Sequence, residues 1–262
     1  MCYSARSATL ARLKYALLRG DLLQAEEIQR QLEEMDLFNS PKYHVSAFAH
    51  PRLLVFTNEA PLTPRAFSWG LIPYWTKSRQ DAQKINKQTL NARGETIFEK
   101  PAFRGPAKNK RCLVYLDAFY EHHHQGGKTF PFRIKMKDDT PMAVAGLWDE
   151  WVDKETGEVI NTVTIVTTSG NGLLSKIHNN TKAEMGPRMP LILTREKQDE
   201  WLRPVKAEAD KKHIQSLIRP LDEGLLTAHT VARINGKDAI GNTPDVEQHV
   251  IYDELLLQLE GL

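Results

Sequence analysis

Four places in the chain hold residues whose types could do chemistry. The first is Cys2, directly after the initiator methionine, in a chain of 262 residues whose one other cysteine is Cys112. Chain termini are usually frayed and wet, which suits neither a core residue nor an exposed thiol. Removal of Met1 would give Cys2 a free α-amine and a thiol on adjacent carbons, a pair open to no internal cysteine. The second place is LNARGET (90–96), where Asn91, Arg93, Glu95 and Thr96 crowd a short stretch after a Lys/Gln-rich loop. The third is DAFYEHHHQGG (117–127), an apolar strand that runs into Glu121 and three consecutive histidines. The fourth is SKIHNNTKAEMGPRMPLIL (175–193), where a short helix ends near His178 and a polar loop leads to a proline-flanked apolar strand.

Each place also has a plain structural reading. LNARGET fits a solvated helix start, and a lone histidine at a helix end is commonly a cap or a surface residue. In an extended strand His122 and His124 share one face, while Glu121 and His123 share the other. His123 and His124 suit a solvated turn. No other His, Cys, Asp or Glu set has the spacing to complete a metal site, so neither metal nor cofactor is expected. Glu121 closes a buried-looking strand, where partial desolvation would raise its pKa toward the range useful for proton transfer. Cys112, inside RCLVYL, reads as a buried and inert thiol.

The elements that must position these residues follow from the pattern around them. Residues 7–37 read as a helical hairpin, with Leu10, Leu13 and Leu17 on one stripe, a stop at Gly20, and Ile28, Leu32 and Met35 on a second stripe. From Asn39 onward the chain reads as short strands at 53–57, 66–72, 111–121, 130–136, 142–152 and 159–168. DKETGE (153–158) is a hairpin turn between two of them. Helices return at 171–178, 194–202, 207–218 and 246–259, which makes the chain β-rich α+β. No repeat or flexible linker interrupts it, so residues 1–262 are expected to form one domain with the hairpin as an insertion.

Composition narrows the class. A 41% apolar and 26% charged makeup is that of a soluble globular protein. No apolar run reaches the roughly 18 residues of a membrane span, and no secretory layout opens the chain, so a cytoplasmic protein without a membrane partner is expected. Two cysteines make no disulfide framework. The formal net charge of +2 announces no nucleic-acid binder, so any basic surface must be local.

Taken together, the motifs resemble the SOS-response-associated peptidase (SRAP) family. Cys2, FSWGLIPYW (67–75), LNARGET, PAFRG with RCLVYLDAFYE (101–121), AGLWDEW (145–151) and TIVTTSGN…KIHNN…PRMPLIL occur in that family's order, and TAHTVARING (227–236) is similar to its last motif. The family commonly begins Cys-Gly-Arg, where this chain has Cys-Tyr-Ser-Ala-Arg; Arg6 is the nearest arginine, at a different spacing.

The resemblance implies a compact α+β domain with a curved, barrel-like, mostly antiparallel β core flanked by helices. It implies action on abasic sites in single-stranded DNA through the mature N-terminal cysteine, as a crosslinking or lyase-type enzyme of the DNA damage response. Cys2 would be the nucleophile, Asn91 the polar group that orients it or the sugar, Glu121 an acid/base and His178 the residue that assists ring opening and reversal. Arg93, Arg104, Arg111 and Arg188 would hold phosphates, with Trp69, Pro73 and Trp75 as an apolar shelf for flanking bases, core packing being the alternative for the two tryptophans. The partner would be single-stranded DNA, the protein a monomer, associated with the nucleoid when bound. The main alternative is an N-terminal-nucleophile cysteine amidohydrolase or peptidase, the latter with removal of its own Met1 as its one cleavage, which accounts equally well for Cys2 but does not call for the other motifs.

Overall fold

The computed structural model describes residues 2–7, 42–180 and 186–255, together with Glu26 and Arg30. Its longest strand, β6 (Arg111–Gln125), organises the rest. The first half of β6 pairs with β3 (Arg52–Thr57) and with β8 (Met142–Val152), both antiparallel. β3 continues to β4 (Arg65–Trp69), β4 runs parallel to β9 (Val159–Ser169), and β9 returns to β8. The ring β3–β4–β9–β8–β6 is a closed five-stranded barrel, which removes its own sheet edges. A single compact α+β fold results, with β6 as a barrel stave.

Successive strand residues point to opposite faces, and here both faces are buried. Leu53 and Val55 of β3, Cys112 and Val114 of β6, Val144 of β8 and Ile165 of β9 pack together in one cluster. Their neighbours Leu54, Phe56, Leu113, Ala143 and Ala145 form a second cluster with Trp201, Ile214 and Leu217. Those last three come from α4 (Arg195–Leu202), α5 (Glu208–Ser216) and the residue that closes it. The near-continuous apolar runs LLVF and CLVYL follow from this two-sided burial.

Beyond Leu116, β6 leaves the barrel. Its second half pairs with β7 (Lys128–Met136), and β7 with β11 (Leu226–Thr230). On its other edge it takes β1 (Ser4–Ser7), which in turn takes β2 (Val45–Ser46). Short strands β5 (Asn91–Arg93) and β10 (Arg188–Pro190) both add to β9. Between β4 and β6 lie helices α1 (Arg79–Gln88) and α2 (Pro106–Asn109), and α3 (Gly172–Ile177) follows β9. Among the described residues no helix is long and apolar enough to cross a membrane.

Several elements differ from the sequence expectation. The Lys/Gln-rich segment before LNARGET is helix α1, capped by Ser78, whose side chain accepts from the Asp81 amide. It lacks an apolar stripe because Ala82 is its one buried residue. LNARGET is strand β5 followed by a 3₁₀ turn, not a helix start. His123 and His124 belong to β6, and the reversal waits for Gly126 and Gly127, both at positive φ. The expected helix at 246–259 is a 3₁₀ turn at Pro244–Glu247, and 248–255 is not helical. There the backbone pairs with the end of β11 instead: the Val250 amide donates to the Thr230 carbonyl and the Tyr252 hydroxyl to the Val231 carbonyl. Residues 256–259 and nearly all of the expected 7–37 hairpin lie outside the described residues.

Candidate active site

The β1–β6 register brings Cys2 to the site. Ala5 lies opposite Phe119, so the antiparallel chain before it runs toward Glu121 and His122. Cys2 is wholly buried, packed with Ala5, Val45 and Phe119 in the barrel-side cluster. Asn91 opens β5, and its Nδ2 donates to the Cys2 carbonyl (2.9 Å). The Asn91 Oδ1 is buried without a hydrogen-bond partner among the described residues, leaving an acceptor beside the chain terminus. An amide that donates on one side and accepts on the other suits orientation of the terminal amine.

Glu121 is 5% exposed, on the half of β6 outside the barrel, and its Oε2 lies 2.9 Å from Nδ1 of His178. A carboxylate only accepts, so His178 carries the proton on Nδ1 and keeps Nε2 for proton exchange. His178 follows the last turn of α3, whose entry is capped by Asn171 and whose Leu173, Leu174 and Ile177 are buried. Asn179 fixes the exit: it accepts from the His124 amide (2.7 Å) and donates to the His124 carbonyl (2.8 Å). The buried His123 ring adds a bond from Nδ1 to the Lys176 carbonyl (3.0 Å), in which the nitrogen donates. His123 and Asn179, which sequence reasoning did not assign to the site, thus hold the His178 segment against β6. Side chains that anchor a loop to a strand edge carry no periodic signal.

Burial first and the Glu121 carboxylate second raise the Cys2 thiol to about 12, against the opposing pull of the ammonium on Met1. The thiol is therefore neutral at physiological pH. Burial likewise lowers the pKa of His122, against the pull of Glu121. A cleft of about 690 Å³ opens over these groups, lined by Tyr3, Glu121, His122 and His178 and walled on its far side by Arg233 and Asn235. Cys2 itself is buried and does not line the cleft; its chain neighbour Tyr3 does. No group of three or more metal-ligating side chains occurs among the described residues.

Of the expected DNA contacts, Arg93, Arg104 and Trp75 are exposed. Arg93 ends β5 close enough to Tyr3 to act on its hydroxyl electrostatically. Arg104 precedes α2, which packs on β8 and β6. The others serve the fold. Arg111 is 1% exposed and donates to the carbonyls of Trp201 (2.7 Å), Lys108 (3.0 Å), Ala107 and Arg203. It opens β6, about 33 Å of extended strand from Glu121, and no phosphate reaches it. Arg188 is 5% exposed, clasping Glu95 (2.8 and 3.2 Å) and the Thr167 carbonyl (2.9 Å). Trp69 is fully buried with its indole N–H on the Leu90 carbonyl (2.7 Å), and Pro73 is buried as well. Arg6 is 8% exposed, 3.5 Å from Asp117, paired with Glu247 and set over the Tyr43 ring, so it too is committed to the fold.

Known proteins resemble this chain in sequence and in fold. A family model described as SOS response associated peptidase (SRAP) matches residues 12–237, a span that begins after Cys2. The chain is 40% identical over 183 residues to the abasic site processing protein YoqW of Bacillus subtilis, covering 69% of this chain and 75% of that one. It is 32% identical over 174 residues to the abasic site processing protein HMCES of Gallus gallus, covering 59% of this chain and 48% of that longer one. A crystal structure of a protein from Bacteroides thetaiotaomicron superposes with a TM-score of 0.79 at 34% identity, covering 95% of this chain and all of that one.

Proposed function

The chain belongs to the SOS response associated peptidase (SRAP) family, and from that premise we propose that it processes abasic sites in DNA by covalent capture through Cys2. Removal of Met1 frees the α-amine, which attacks the C1′ aldehyde of the ring-opened sugar in a single strand. Loss of one water gives a Schiff base. The thiol then adds to the imine carbon, its proton passes to the nitrogen, and a five-membered thiazolidine closes. Both groups sit on one residue, so the second step is intramolecular and gains the advantage of high effective molarity.

One observation carries the reading: three distant segments converge on Cys2. Asn91 bonds its carbonyl, and the Glu121–His178 pair lies where its carboxylate acts on the thiol. The raised thiol pKa supports an order in which the amine reacts first. An α-amine has a reference pKa of about 7.7–8.0 and retains a neutral fraction at pH 7, whereas the thiol, raised to about 12 in the chain that still carries Met1, does not ionise there. Thiolate-first amide cleavage asks for the opposite shift. His178 exchanges protons with the ring oxygen and the C1′ hydroxyl as the sugar opens, and Glu121 orients it and steadies its charged form. Arg93 holds a phosphate beside the lesion.

Intact mass spectrometry after incubation with a single-stranded abasic oligonucleotide tests the proposal. The expected product is the chain without Met1, plus the oligonucleotide, less one water. Cys2→Ala should abolish the heat-stable adduct, and an undiminished yield from that variant would sink the reading.

A further inference from the structure

Tyr3, the residue after Cys2, stacks on Phe48 with ring centroids 5.0 Å apart and planes 29° from parallel. Phe48 sits in the 3₁₀ turn Ala47–Ala49, and that turn is tied to β1 by the bond from the Ala47 amide to the Tyr3 carbonyl (2.8 Å). His50 closes the turn in the left-handed region, at φ 48°. The position of the Phe48 ring is thus set by backbone bonds, not by burial. Phe48 is 63% exposed, so with Tyr3 against one face the other is open to solvent. A phenylalanine held rigidly in water at this spot serves no core.

Below the pair lies a hollow of about 250 Å³, lined also by Ser4, Ser46, His122 and Asn235. Tyr3, His122 and Asn235 line the larger cleft too, so the hollow is continuous with the candidate active site. Its volume is below the roughly 300–1,000 Å³ that takes a drug-sized ligand, and so suits a single planar group. Its polar lining offers hydroxyl, amide, imidazole and, from Glu121, carboxylate partners to the edge of such a group. Arg93, an exposed cation, acts on the Tyr3 hydroxyl from nearby, and a planar ligand carried on a phosphate chain would meet it.

We propose that the Tyr3–Phe48 pair and this hollow form a nucleobase subsite, which stacks a base neighbouring the captured nucleotide and so sets the register of the strand over Cys2. Bases stack on aromatic rings regardless of identity, so the subsite tolerates any sequence. Its ligand, a DNA strand, rests on the proposed function; the stacking itself does not require covalent chemistry.

The test uses single strands carrying a tetrahydrofuran abasic analogue, which binds but has no aldehyde to crosslink, with fluorescent 2-aminopurine placed on one side of it and then the other. Wild-type protein should quench the probe on one side. Phe48→Ala should lose that quenching and bind on the order of tenfold more weakly or worse. Phe48→Trp should restore both. The exposed ring predicts an unchanged thermal midpoint for Phe48→Ala, which separates lost stacking from lost folding. If wild-type protein forms the adduct with a true abasic strand while Phe48→Ala leaves affinity and quenching untouched, the subsite is overturned and the capture chemistry stands. If stacking depends on Phe48 but no adduct forms, the subsite stands and the capture chemistry falls.

Discussion

Cys2 is more tightly enclosed than a second residue has reason to be, and its enclosure has a measurable cost. Burial and the Glu121 carboxylate raise its pKa to about 12, so the folded chain keeps the thiol proton to higher pH than the unfolded chain does. Below about pH 9 both states are protonated and the thiol has no effect on the pH dependence of stability. Between about 9 and 12 the unfolded chain loses its proton first, so stability falls as pH rises, by about 1.4 kcal/mol per pH unit per such group. Cys112 and Tyr120 are shifted in the same direction, again by burial first. Cys2→Ser should therefore show a shallower alkaline loss of stability than wild type in denaturant titrations from pH 8 to 11. Parallel curves would mean that the Cys2 thiol is not enclosed in solution. In the proposed mechanism the same enclosure would keep the thiol out of side reactions at neutral pH until an aldehyde is bound as an imine.

At the scale of elements, β1 is a short strand between β6 and β2 that carries the proposed nucleophile, and its anchor is electrostatic. Arg6 meets Asp117 on β6 and Glu247 from the C-terminal region, and Glu247 also takes Arg133 of β7 at 2.9 Å. Arg6, Asp117 and Arg133 are all buried, so removing one partner strands charge without water. Arg6→Ala should cost about 3 kcal/mol in unfolding free energy, with the salt dependence of DNA binding unchanged. A variant of normal stability whose DNA affinity fell would instead place Arg6 on the DNA surface. The clasp between Arg188 and Glu95 does the same for β5 and β10, which both flank β9. Gly94 is required between them, because a Cβ there would lie 2.4 Å from the Ile218 side chain and 3.1 Å from the Thr167 carbonyl. The polar crowding in LNARGET thus serves two purposes: Asn91 and Arg93 face the site, while Gly94 and Glu95 hold the turn.

Across the whole molecule, a formal net charge of +2 supplies no general attraction to DNA, so affinity must come from few contacts. Each phosphate neutralised on a single strand adds about 0.7 to the slope of log K against log salt. Arg93→Ala should therefore lower that slope by about 0.7, and Arg111→Lys should leave it unchanged. Equal slopes for wild type and Arg93→Ala would remove Arg93 from the phosphate contacts. The barrel strands were legible in the sequence because burial on both faces writes an unbroken apolar run, and the motif residues Cys2, Asn91, Glu121 and His178 stood out as polar groups beside such runs. Helix α1 was hidden by its nearly all-polar surface, and the fate of residues 248–255 by backbone bonds to β11 that leave no trace in local pattern. The arginines and tryptophans were legible as residue types but not as roles: Arg111 looks like a ligand for phosphate until four carbonyls are found around it. Residue chemistry and hydrophobic period are local, so the sequence by itself determined which groups could react and that a β-rich core would carry them. Which of those groups meet, and which are spent on the fold, depends on register and burial between segments far apart in the chain, and only the tertiary structure decided that.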